Sequence, residues 1–296
     1  MKNTLFVGAG VAIVTPFNED GSVNYDALGN MLEFQVENGT DAIIICGTTG
    51  EASTLTDDEQ ISVIKYTVDK VAKRIPVIAG AGSNDTKHGI QLCKRCEEVG
   101  ADGLLIVTPY YNKTTQKGLI KYYTDIAKSV SLPIIMYSVA GRTGLNIKPE
   151  TAKALAEVEN IVAIKEASGN ISQVADIAAL THGKLDIYSG NDDMIVPLLS
   201  LGGKGVISVL SNVAPKYTHD MVKAFLNGDI TRAASMQRDC IDLCHNLFSE
   251  VNPIPVKAAL NMMGLNAGGY RAPLCEMEEG NYEKLKASMK KFGLLD

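Results

Sequence analysis

Ile161-Val162-Ala163-Ile164-Lys165-Glu166-Ala167-Ser168-Gly169-Asn170 is an apolar run that ends on a lysine and passes at once into a turn. Four apolar residues bounded by Ser-Gly-Asn read as a buried strand followed by a reversal. Seven more runs of this kind punctuate the chain: Gly8–Val14, Asp41–Cys46, Pro76–Ala79, Gly103–Val107, Pro133–Tyr137, Leu185–Tyr188 and Gly205–Val209. They are continuous rather than alternating, as expected of parallel strands covered on both faces. Segments with a period near 3.6 separate them. Thr56-Asp57-Asp58-Glu59 is a capping box, and the helix behind it sets Ile61, Ile64, Val68 and Val71 on one face. Lys148-Pro149-Glu150 opens another helix with proline in the first turn. Leu119, Ile120, Tyr123, Ile126, Ala127 and Val130 line a third.

Eight strand–helix units favour an α/β fold of the (β/α)8 TIM-barrel class over an open doubly wound sheet. The alternation stops near Leu226-Asn227-Gly228-Asp229, so the barrel is expected over residues 1–228 and a C-terminal helical domain over 229–296.

Composition narrows the function. The chain has 296 residues, is 46% hydrophobic and carries a net charge of −6. The acidic balance argues against nucleic acid or an anionic membrane as main partner. No apolar stretch reaches the ~18 residues of a membrane span. The start, Met1 to Gly8, lacks the long apolar region of a signal peptide, so a cytoplasmic protein is expected. Cys93-x-x-Cys96 and Cys240-x-x-x-Cys244 fall in helical patterns and lack the second pair that zinc requires. All six cysteines are expected to be reduced and unligated, with no metal. His88, His182, His219 and His245 read as surface or helix-packing residues.

In a barrel, chemistry collects at the C-terminal ends of the strands. Lys165 stands there. Burial disfavours an ammonium, by roughly 3–5 pKa units at the extreme, and a neutral amine can attack a carbonyl to form a Schiff base. The competing reading is a lysine that snorkels to solvent or pairs with a carboxylate. Gly47-Thr48-Thr49-Gly50 exposes hydroxyls and amides that suit a carboxylate or phosphate, or simply cap the next helix. Tyr137 falls on the neighbouring strand at the level of Lys165, and Arg142, between two loop glycines, suits a carboxylate clamp. Strand side chains alternate, so Glu166 faces outward if Lys165 faces in, and is not assigned as a base.

Gly47-Thr48-Thr49-Gly50-Glu51, Thr108-Pro109-Tyr110-Tyr111-Asn112, Gly141-Arg142-Thr143-Gly144, Ile164 to Asn170, Ser189-Gly190-Asn191-Asp192 and Asn252-Pro253-Ile254-Pro255-Val256-Lys257 occur in this order across nearly the whole chain. As a set they resemble the dihydrodipicolinate synthase (4-hydroxy-tetrahydrodipicolinate synthase) family of pyruvate-dependent class I aldolases. The resemblance implies that Lys165 forms a Schiff base with pyruvate and Thr49 binds its carboxylate. Gly190 and Ile207 line the pyruvate site. Tyr137, Thr48 and Tyr111 form a proton relay, Tyr111 entering from a neighbouring subunit. Arg142 receives the carboxylate of L-aspartate 4-semialdehyde. It further implies no metal or organic cofactor, and a homotetramer built from tight dimers. A threonine hydroxyl both donates and accepts, so it can link two phenols. The nearest rivals are pyruvate-releasing lyases of N-acetylneuraminate or 2-keto-3-deoxy sugar acids on the same barrel, and a non-enzymatic barrel that kept the fold.

Two departures from the family pattern carry expectations. Tyr137-Ser138-Val139-Ala140 lacks the family's usual proline, which is expected to loosen the loop presenting Arg142. At the family's lysine feedback site, Asn84 and Tyr110 match, whereas Asp57, Gln60 and His88 do not. Weak or absent inhibition by lysine is expected.

Overall fold

Each apolar run becomes a strand within two residues of its expected ends, and the strands close on themselves in the computed structural model, which describes residues 2–296. The order is β1 (Gly8–Ala12), α1 (Tyr25–Glu37), β2 (Ala42–Ile45), α2 (Asp57–Val71), β3 (Val77–Gly80) and α3 (Thr86–Glu98). Then follow β4 (Gly103–Val107), α4 (Gln116–Ala127), β5 (Ile134–Ser138), α5 (Ala140–Thr143), α6 (Pro149–Leu155) and β6 (Ile161–Glu166). The barrel ends with α7 (Ile171–Thr181), β7 (Asp186–Ser189), α8 (Ile195–Leu199), β8 (Gly205–Ser208) and α9 (Pro215–Leu226). Neighbouring strands are parallel, and β8 pairs with β1 through Gly205 and Gly8, leaving no sheet edge. The chain is a (β/α)8 barrel. Helices α10 (Ile230–Asp239), α11 (Ile241–Asn246), α12 (Ile254–Met262) and α13 (Glu279–Phe292) follow.

Burial divides into two shells. Ile44, Ile78, Leu105, Ile135, Ala163 and Tyr188 pack inside the barrel. Ile43, Ile45, Leu104, Ile106, Ile134 and Ile164 pack between strands and helices. With both faces of each strand covered by apolar side chains, the strands read as unbroken apolar runs. Alternation then sets the direction of the functional end of β6. Ala163 points in and Ile164 out, so Lys165 points in and Glu166 out. Glu166 accordingly accepts from Gln173 Nε2 of α7 at 2.7 Å and from the Ser168 amide and hydroxyl. Burial raises the proton affinity of this carboxyl and the Ser168 and Gln173 donors oppose the rise.

Helix α2 has the expected capping box, Thr56 accepting from the Glu59 amide and Glu59 from the Thr56 amide. Its buried face differs from the expected one. Gln60, Val63, Ile64, Thr67 and Val71 are buried, whereas Ile61 and Val68 are half-buried. Polar side chains join the buried face because their hydrogen bonds are met there. Gln60 Nε2 donates to the Gly80 carbonyl at 2.7 Å and Thr67 Oγ1 to Val63 O at 2.9 Å. Helix α4 buries Leu119, Tyr122, Tyr123, Ile126 and Ala127, with Ile120 and Val130 at the margin.

The C-terminal helices are tied to the barrel top by an ion pair. Lys257 of α12 donates to Glu51 at 2.8 Å and to the Thr15 carbonyl at 3.1 Å, with both side chains almost fully buried. The ammonium also sits 4.4 Å from the Phe17 ring centroid. Burial pushes the Lys257 amine below its usual range and Glu51 pulls it back. Among the described residues no helix is long and apolar enough to cross a membrane. All six cysteines are free thiols, and among the described residues no group of three or more His, Cys, Asp or Glu could hold a metal ion.

Candidate active site

The inward turn of Lys165 decides the site. Sheet register sets it level with Tyr137 of β5 on one side and Tyr188 of β7 on the other. It is 5% exposed, and its Nζ lies 4.4 Å from the Tyr137 ring centroid. Tyr188 forms a floor with Phe6, their rings stacked 4.4 Å apart and the Tyr188 hydroxyl donating to Phe6 O at 2.7 Å. Gly190 closes against the lysine. A Cβ there would fall 3.1 Å from Lys165 Cε and 2.6 Å from Ala167 Cβ, so any side chain would push on the lysine.

Lys165 opens into a cavity of about 180 Å³ lined also by Thr49, Tyr137, Arg142, Gly190 and Asp192. Its outer wall comes from Cys244, His245, Phe248 and Asn252, all beyond the barrel in sequence. A wider cavity of about 420 Å³ lies beside it, lined by Thr48, Asp57, His88, Tyr110, Tyr137 and Arg142 among others. The two threonines of the turn therefore face different spaces, and Tyr137 and Arg142 border both.

The turn that presents them is tightly made. Cys46 and Glu51, at its two ends, have φ of 54° and 53°, in the left-handed region. The Cys46 carbonyl passes so close to Gly80 that a Cβ there would lie 2.1 Å away, so β3 must carry glycine. Thr49 is buried, and its Oγ1 accepts from Asn252 Nδ2 at 3.0 Å.

Arg142 is exposed and its guanidinium donates to the Asn252 carbonyl at 3.3 Å. The segment that carries it is not the loosened loop expected from the missing proline. Ala140–Thr143 form one helical turn, and Thr143 Oγ1 bonds to Thr108 Oγ1 at 2.9 Å and to Leu145 O at 3.1 Å. Ser138, wholly buried, donates to Asn146 Oδ1 at 3.1 Å and accepts from the Ile147 amide. Side-chain hydrogen bonds and an alanine compatible with helix hold what proline would hold elsewhere.

The expected residues do not all meet. Lys165, Tyr137, Thr49, Arg142 and Gly190 border one cavity, and Thr48 joins Tyr137 and Arg142 in the other. Ile207 is packed in the barrel interior and borders neither. Tyr111 borders neither and is 92% exposed, with φ of 67°.

Other residues at the cavity carry no role in the sequence reading. Asp192 lies in the Ser189-Gly190-Asn191-Asp192 motif and is 3% exposed. Its Oδ2 accepts from the Val209 and Leu210 amides at 3.0 and 2.9 Å. Burial raises the proton affinity of this carboxyl, opposed by Ser208, those amides and the charge of Lys165. His245, expected to be a surface or packing residue, borders the cavity, as does Asn252. The Asn252-to-Lys257 motif was visible in sequence, but nothing local connects it to Thr49, about 200 residues away.

A model of the dihydrodipicolinate synthetase family matches residues 5–292. The chain belongs to the dihydrodipicolinate synthetase family. It is 58% identical to 4-hydroxy-tetrahydrodipicolinate synthase of Acetivibrio thermocellus over 295 residues, 100% of both chains. Among solved members of the family, dihydrodipicolinate synthase from Thermotoga maritima superposes with a TM-score of 0.97 at 43% identity, covering 99% of this chain and 100% of that one. The chloride-inhibited enzyme from Acinetobacter baumannii, complexed with pyruvate, superposes equally, with a TM-score of 0.97, 43% identity and the same coverage. The family accounts for the order of the motifs along the barrel rim.

Proposed function

We propose that the protein condenses pyruvate with L-aspartate 4-semialdehyde to 4-hydroxy-tetrahydrodipicolinate, a step of diaminopimelate and lysine biosynthesis, through a Schiff base on Lys165. The observation that carries this is a buried lysine against a tyrosine, in a cavity that the Thr49 hydroxyl and an arginine also border. The Lys165 amine adds to the keto carbon of pyruvate, and the carbinolamine loses water to give the imine. The imine draws electrons from the pyruvate methyl, which gives up a proton and becomes an enamine. The enamine carbon attacks the aldehyde, whose oxygen takes a proton to become a hydroxyl. The amine of the second substrate then displaces Lys165 from the imine carbon as the ring closes.

Thr49 receives the pyruvate carboxylate and Arg142 that of the semialdehyde. Tyr137 moves protons at the imine and aldehyde oxygen, relayed by Thr48 and a second phenol. The exposed Tyr111 supplies that phenol across a subunit boundary, so the working form is at least a dimer, and we infer a cytoplasmic tetramer of tight dimers. Gly190 and Ile207 shape the pyruvate end. An arginine on the cavity favours a carboxylated aldehyde over a polyhydroxylated sugar acid.

Borohydride reduction in the presence of pyruvate, followed by peptide mass spectrometry, tests the first step. A stable adduct on Lys165 is expected, and its absence defeats the reading together with its aldolase rivals. Turnover with aspartate semialdehyde, set against N-acetylneuraminate and 2-keto-3-deoxy sugar acids, separates those rivals.

A further inference from the structure

The Thr49 hydroxyl has one hydrogen and, among the described residues, its oxygen meets one side-chain group, the Asn252 amide nitrogen at 3.0 Å. An amide nitrogen donates and does not accept. Thr49 Oγ1 is therefore the acceptor, and its own hydrogen is left for a partner in the cavity that Thr49 borders. A carboxylate, which only accepts, is the complement of that hydrogen. The backbone of Asn252 serves the other end of the cavity, its carbonyl taking the Arg142 guanidinium at 3.3 Å. Asn252 is 5% exposed, and its Oδ1 has no hydrogen-bond partner among the described residues. A buried acceptor left unpaired is costly, and such groups concentrate at functional sites. Five residues on, Lys257 grips Glu51, two residues beyond Thr49 in the same turn. The segment 252–257 thus holds the turn at two points, from outside the barrel.

We propose that Asn252 is a positioning residue for pyruvate: its side-chain amide fixes the direction of the Thr49 hydroxyl, so that the hydrogen is presented to the substrate carboxylate before binding. This rests on the function proposed above, and assigns to the C-terminal segment a part in pyruvate affinity. Asn252 acts through Thr49 and touches no reacting atom.

Steady-state kinetics on the full-length protein test it. Asn252→Asp keeps the shape but can only accept, so it turns the Thr49 hydroxyl away from substrate. Asn252→Ala removes the donor. Either is expected to raise the pyruvate KM about tenfold, the scale of one hydrogen bond to a charged group, with kcat and the KM for aspartate semialdehyde within about threefold of wild type. In a Thr49→Val background, Asn252→Ala is expected to add less than about twofold, because the group it orients is gone. In a Thr49→Ser background the full penalty returns.

An unmoved pyruvate KM in Asn252→Asp overturns the proposal, since it means that Thr49 donates to Asn252 rather than to substrate. Penalties that multiply in the Thr49→Val background overturn it too, as does a loss confined to kcat. If Asn252→Ala fails to fold, the isosteric Asn252→Asp decides. Wild-type adduct formation on Lys165 is measured first. Its absence defeats the proposed function, whereas an intact adduct with no effect of Asn252 defeats only this inference.

Discussion

Lys165 and Glu166 are neighbours in sequence with opposite fates, and strand geometry alone separates them. One turns into the barrel against Tyr137, the other out to Gln173 of α7. Their opposition was legible from the sequence, because a strand's side chains alternate with a two-residue period, whereas the inward direction of Lys165 came from closure of the barrel. The full lining of the cavity facing Lys165 was not legible, since Asp192, His245 and Asn252 arrive from three separate segments. A Lys165→Met substitution removes the one lysine among the described residues that line this cavity. Turnover is expected to fall by at least about three orders of magnitude, with no borohydride-trapped adduct on intact protein of unchanged circular dichroism. Residual activity within tenfold of wild type would place the nucleophile elsewhere.

At the level of elements, the capping box of α2 does more than start a helix. Glu59 also takes the Arg271 guanidinium, at 2.6 and 2.9 Å, and so ties α2 to the C-terminal segment. Arg271 first, and the Thr56 amide second, hold its carboxyl well down, at about 2 against an ordinary 4.5. A carboxylate with a depressed folded-state pKa contributes stability that is fully present above about 4.5 and lost as pH falls toward 2. Glu59→Gln is therefore expected to cost about 1 kcal/mol at pH 7, small because the pair is partly solvated. That difference from wild type should shrink through the same window, as read by urea titration at several pH values. The same cost at pH 3 would mean that the charge is not the source. The Glu51–Lys257 pair is the opposite case, fully enclosed. Lys257→Met leaves a carboxylate buried and unpaired, and should destabilise by about 3–5 kcal/mol. Lys257→Met combined with Glu51→Gln should recover part of that loss in the same titration, whereas additive losses would show that the two side chains act independently.

For the whole molecule, the exposed tyrosines of the rim and the wider cavity carry the predictions. Tyr110 and Tyr111 are exposed, Tyr111 to 92% on a left-handed backbone, which suits a residue that finishes its packing against a second copy. If it completes the relay, Tyr111→Phe should lower kcat by about 10²-fold, as loss of a general acid–base group does, without shifting the sedimentation profile. Unchanged turnover would remove the shared relay. The wider cavity bears on regulation. His88 Nε2 meets Asp57 at 2.9 Å across one wall, beside Gln60 and Tyr110. With His88 and Asp57 paired to each other and Gln60 donating to the Gly80 carbonyl, free lysine is expected to change turnover by less than about twofold, below the usual range of allosteric coupling. A steep fall at low lysine concentration would contradict this.

The sequence by itself determined the barrel, the strand on which Lys165 stands and the opposite facing of Lys165 and Glu166. Continuous apolar runs and a strand's alternation are local properties that no distant contact overrides here. It also carried the motifs of the family. Only the tertiary structure decided that Thr48 and Thr49 face separate cavities, that Ala140–Thr143 is a helical turn braced through Ser138 and Thr143, and that Asn252 and Lys257 hold the threonine turn from about 200 residues away. Those are outcomes of closure. A barrel brings the ends of its strands to one rim whatever their separation in sequence, and the hydrogen bonds made there depend on distances that no local pattern encodes.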